Sequence, residues 1–112
     1  MPIDEGKINA LQDMIKNSKS KGDVINVMKQ IMELLPRSAD IGITIGEMGK
    51  IMYVLSYDGL YSLTAVSDEF LPFMISNEKK IQIENINDNI VNLFLKNKDS
   101  IIAQVKELLR GS

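Results

Sequence analysis

The chain has 112 residues, 45% apolar and 25% charged, which is the size and balance of one ordinary globular domain. It contains no cysteine and no histidine, which excludes disulfides, thiol nucleophiles, the usual zinc ligand sets and imidazole proton transfer. With 13 Lys/Arg against 15 acids the net charge is −2, so no overall field draws the chain toward nucleic acid or anionic lipid.

That near-balance is uneven along the chain. Residues 1–37 carry six Lys/Arg and five acids, net +1. Residues 38–78 carry Lys50 alone against Asp40, Glu47, Asp58, Asp68, Glu69 and Glu78, net −5. Residues 79–112 carry six Lys/Arg and four acids, net +2. The first six residues lack the basic start and apolar stretch of a signal peptide. No apolar run approaches the ~18 residues of a membrane span. A cytoplasmic protein without a membrane anchor is the expectation.

In chain order, Ile8, Leu11 and Ile15, with Met14 beside them, give one apolar helical face behind Asp4 and Glu5. Residues 17–22 lose that pattern, which marks a break or a kink. Ser20 with Asp23 three residues on is a capping-box pair. It opens a second helix with Val24, Val27, Met28, Ile31, Leu34 and Leu35 inward, ended by Pro36. The two helices are expected to form a hairpin.

The period then shortens to two. Ile41, Ile43 and Ile45 alternate with Gly42 and Thr44 as a strand, and residues 46–49, with glycine at both ends, read as a turn. Residues 50–57, rich in β-branched and aromatic side chains, form the next strand. Asp58-Gly59 predicts a type I′ hairpin turn, with residues 60–66 returning. A three-stranded antiparallel meander results. Ser67 to Glu69 resemble a helix cap, and Phe70, Leu71, Phe73, Met74 and Ile75 a short helix or packed loop. Residues 76–80 read as an exposed polar connection, and residues 81–84 alternate as a candidate fourth strand. Asn87 or Asp88 then caps a C-terminal helix with Ile90, Leu93, Phe94, Ile101, Val105 and Leu108 on one stripe, which lapses at residues 97–99. The expectation is a single α+β domain over residues 1–112: a helical hairpin, the meander and a C-terminal helix packed on one sheet face.

No motif in this pattern supports catalysis, a cofactor or a metal. The acids fall mainly at caps and turns, where they serve local structure. Residues 46–50 lack the helix N-terminus and the Ser/Thr of a phosphate loop, since Ile51 follows Lys50. Two helices followed by a hairpin also suggest a winged-helix nucleic-acid binder. Its recognition helix would carry Asp23, Asn26, Lys29, Gln30 and Glu33, a mixed face rather than a basic stripe, so nucleic acid ranks second. The leading expectation is a small non-enzymatic regulator, inhibitor or assembly subunit. It would bind another protein, basic in character, or a second copy of itself. The candidate contacts are Glu47 and Met48 at the first hairpin, Asp58 at the second, and Tyr53, Tyr57 and Tyr61 between them, because Met and Tyr favour interfaces. Met52, Val54, Leu60 and Val66 are candidates for a second sheet face that needs covering.

Overall fold

A computed structural model describes residues 5–37, 41–66 and 74–110. Helix α1 spans Glu5–Asn17 and buries Ile8, Leu11 and Ile15. Helix α2 spans Lys21–Leu34 and buries Val24, Val27, Met28 and Ile31 against it. The expected capping box sets the start of α2. Ser20 Oγ accepts the Asp23 N–H at 3.3 Å, and the Asp23 carboxylate accepts the N–H groups of Lys19 and Ser20 at 3.0 and 3.3 Å. At the end of α1, Ser18 Oγ donates to the Met14 carbonyl at 2.7 Å. Lys98 Nζ donates to the carbonyls of Lys16 and Ser18 at 3.0 and 2.7 Å. A cation thus meets the carbonyls that a helix leaves free at its C-terminal end.

Four strands follow in one antiparallel sheet whose spatial order is the chain order: β1 (Ile43–Met48), β2 (Ile51–Ser56), β3 (Gly59–Val66) and β4 (Met74–Ile81). Two details of the meander differ from expectation. Residues 46–48 belong to β1, because a bulge between Thr44 and Gly46 lets the strand continue to Met48, and the turn shrinks to Gly49-Lys50 with Gly49 at φ +63°. The second turn is centred one residue early, on Tyr57-Asp58, and Gly59 already pairs with Ser56. Among the described residues only glycines have positive φ, so Asp58 does not take the type I′ conformation.

The fourth strand lies upstream of the expected one. Residues 77–81 pair with β3, of which only Ile81 belongs to the expected strand, whereas Ile83–Asn85 form a 3-10 turn. Met74 and Ile75 are therefore extended and not helical. The expected cap at Ser67–Glu69 and the helix over Phe70, Leu71 and Phe73 lie outside the described residues. Charged residues hid this strand because β4 ends the sheet and exposes Glu78, Lys79 and Lys80.

Asn87 caps helix α3 (Asp88–Lys96), its Oδ1 accepting the Ile90 N–H at 2.9 Å. The lapse in the stripe is a true break: α3 ends at Lys96, and helix α4 runs over Lys98–Arg110. Leu109 rather than Leu108 is the buried residue of the last turn. The core joins all four helices to Ile43, Ile45, Leu55 and Leu60, with Phe94 fully buried at its centre. Helices α3 and α4 pack on β1, and α2 on β2. A Cβ on Gly46 would lie 2.4 Å from Asn97 Nδ2, so glycine there lets the α3–α4 junction approach β1, where Asn97 Nδ2 donates to the Ile45 carbonyl at 3.0 Å.

Candidate protein-binding face

Side chains alternate across a sheet, so the strands that bury Ile43, Leu55 and Leu60 beneath the helices present the residues between them on the opposite, outer face. The register sets these into two transverse rows. One reads Glu47, Met52, Leu63 and Glu78 from β1 to β4. The next reads Thr44, Val54, Tyr61 and Lys80. Met52, Val54, Tyr61 and Leu63 are each partly exposed, while Glu47, Glu78 and Lys80 are exposed. The outer face is thus an apolar centre two strands wide, with acids on both flanks of one row. Across three strand spacings, Glu47 and Glu78 stand about 14 Å apart.

Toward the Tyr57-Asp58 turn this face sinks into a depression of ≈ 130 Å³. Val54, Tyr61 and Leu63 line it from the two central strands, Ser56, Tyr57 and Asp58 from the hairpin end, and Glu78 from β4. Tyr61 Oη donates to Asp58 Oδ2 at 3.0 Å, and Lys80 Nζ stands 3.7 Å from the same oxygen. The bond to Asp58 pushes the Tyr61 hydroxyl above the ordinary tyrosine range, with smaller contributions from desolvation and the negative charges of Asp58 and Glu78. Among the described residues, no hydrogen bond or ion pair engages the Glu78 carboxylate.

Tyr57 and Asp58 also border a larger, open depression of ≈ 520 Å³ beneath the end of α2, lined as well by Lys29, Met32, Glu33, Leu35 and Arg37. Its two bases and two acids leave it without a dominant sign. Lys29 is engaged with Glu84 at 3.0 Å, joining α2 to the 3-10 turn.

Of the six residues singled out in the sequence, Tyr57, Asp58 and Tyr61 converge on the smaller depression. Glu47 shares the outer face, one row away. Tyr53 does not: it pairs across from Gly46 and Ser62 on the helix side, 7% exposed. Met48 is only partly exposed and packs on the core, because β1 runs on to include it. Met52 and Val54 occupy the outer face as expected, Leu60 belongs to the core, and the side chain of Val66 lies outside the described residues. Leu63 and Glu78 also belong to this face and are not among those six. The alternation of Tyr61 with Leu63 was a usable signal for the first, but Glu78 becomes visible only once β4 is in register.

Among the described residues, no helix is long and apolar enough to cross a membrane, and no cluster of three or more acids forms a metal site. The chain matches no protein-family model, and no curated protein or solved structure is significantly similar to it.

Proposed function

We propose that this chain is a small non-enzymatic protein-binding module, a regulator, inhibitor or assembly subunit, that docks its partner on the outer face of the sheet. One observation carries the reading. Met52 beside Leu63 and Val54 beside Tyr61 form a contiguous apolar centre on the face opposite the helices. A half-solvated antiparallel sheet normally turns polar residues to water, and a concentrated apolar patch with a polar rim is the anatomy of a protein interface. The unengaged acids Glu47 and Glu78 on its flanks favour a basic partner. They also oppose face-to-face pairing of two copies, which would bring like charges together. A cytoplasmic location belongs to the same reading.

The test is site-specific photocrosslinking in an extract of the source cells. A photoreactive residue at position 63 is expected to give an adduct that disappears in a Val54→Lys background. The same group at Ala103, exposed on α4, is expected to give none. Equal adducts from both positions, or an adduct indifferent to Val54→Lys, would remove the outer face as the docking surface. Sedimentation equilibrium identifies a second copy as the occupant if a dimer forms and Leu63→Lys dissolves it.

A further inference from the structure

We infer that the depression at the hairpin end of the outer face is a socket for one arginine side chain of the partner, stacked against Tyr57 and Tyr61 and held by Asp58 and Glu78. This rests on the docking face proposed above and names the group that the face recognises. The depression, ≈ 130 Å³, is the size of a side chain rather than of a cofactor. Two of its lining residues are aromatic and two are carboxylates, which is the combination that attracts a cation by ring faces and by charge together. Asp58 is shared by Tyr61 and Lys80, but the Glu78 carboxylate is unengaged among the described residues, so the rim holds an acceptor in surplus.

Arginine fits this arrangement better than lysine. Its planar guanidinium stacks on an aromatic ring while its edge forks onto a carboxylate, whereas an ammonium is a compact point charge with a stronger hydration shell. Arginine is also among the residues that carry most of the binding energy at interfaces. Lys80 sits on the rim as an internal competitor, 3.7 Å from Asp58 and 46% exposed at its side chain. The incoming guanidinium takes Glu78 first and shares Asp58.

The experiment titrates the full isotopically labelled chain at low salt with acetyl-arginine-N-methylamide and, in parallel, with its neutral isostere acetyl-citrulline-N-methylamide, followed by amide chemical shifts. Saturable shifts confined to the region of Tyr57, Tyr61, Leu63 and Glu78 are expected from the arginine probe. The citrulline probe is expected to bind at least tenfold more weakly. Glu78→Gln should weaken the arginine probe fivefold or more, and Lys80→Gln should tighten it about two- to fivefold by removing the competitor. Equal binding of the two probes, shifts indifferent to Glu78→Gln, or no localised shifts would overturn the socket. The photocrosslinking separates the two readings. A position-63 adduct whose yield is unchanged by Glu78→Gln and Asp58→Asn keeps the docking face and discards the socket. Loss of the position-63 adduct's site dependence discards the face itself.

Discussion

Gln104 and Thr44 exchange two hydrogen bonds: the Thr44 N–H donates to Gln104 Oε1 at 2.8 Å, and Gln104 Nε2 donates to the Thr44 carbonyl at 2.9 Å. The side-chain amide of a helix residue thereby reproduces the bonding of a neighbouring strand on the outermost strand of the sheet. Gln104→Ala leaves both backbone groups without these partners. A loss of about 1–3 kcal/mol in urea unfolding is expected, together with faster exchange of the Thr44 amide. A loss below ~0.5 kcal/mol would show that water replaces the glutamine without cost.

Gly46 controls how closely the α3–α4 junction approaches β1. A methyl group there would stand 2.4 Å from Asn97 Nδ2 and 2.8 Å from Leu93, at a φ of +154°. Leu93 is buried and does not yield freely. Gly46→Ala should therefore cost about 1–3 kcal/mol by crowding, read as a lower denaturation midpoint at unchanged slope.

The Asp23 carboxyl is held below its ordinary range, first by the Lys19 N–H and next by the Ser20 N–H. A lowered folded pKa contributes stability above the unfolded value, and this is lost as pH falls through the folded value. The stability gap between the parent chain and Asp23→Asn should stay constant from neutral pH to the ordinary carboxylate range and close below it. A gap that persists at the most acidic pH would contradict this role. Ser20→Ala, which removes the reciprocal half of the cap, should cost about 0.5–2 kcal/mol at neutral pH.

Tyr61 ionises above the ordinary tyrosine range, chiefly because its hydroxyl donates to Asp58. For a raised pKa the associated stability is complete below the unfolded value and is lost as pH rises through the folded one. In carbon-labelled tyrosine spectra, Asp58→Asn should lower the pH at which Tyr61 ionises. An unchanged Tyr61 titration would place the cause elsewhere.

The sequence made the helices and the first three strands legible because their signals are local. Ile8, Leu11 and Ile15 repeat at helical spacing, and Ser20 with Asp23 and Asn87 before Asp88 mark helix starts. The bulge between Thr44 and Gly46 was not legible, since the close approach of Asn97 that accompanies it comes from about fifty residues on. Nor was β4, whose Glu78, Lys79 and Lys80 carry no apolar alternation because the strand ends the sheet. The site divided the same way. Tyr57, Asp58 and Tyr61 are neighbours in sequence and line one depression, whereas Glu78 joins them only through the pairing of β3 with β4. Tyr53 faces the helices, which its sequence does not reveal, because a strand rich in apolar residues on both faces does not declare which face meets them.

The two ends of the sheet are treated differently. Gln104 and Asn97 occupy backbone groups of β1, while β4 is the terminal strand on the other side. A strand adding beside β1 would have to displace these side-chain bonds at Thr44 and Ile45 before it could pair there. That local cost makes β1 a poorer template for an incoming strand than its position at the edge of the sheet alone would suggest.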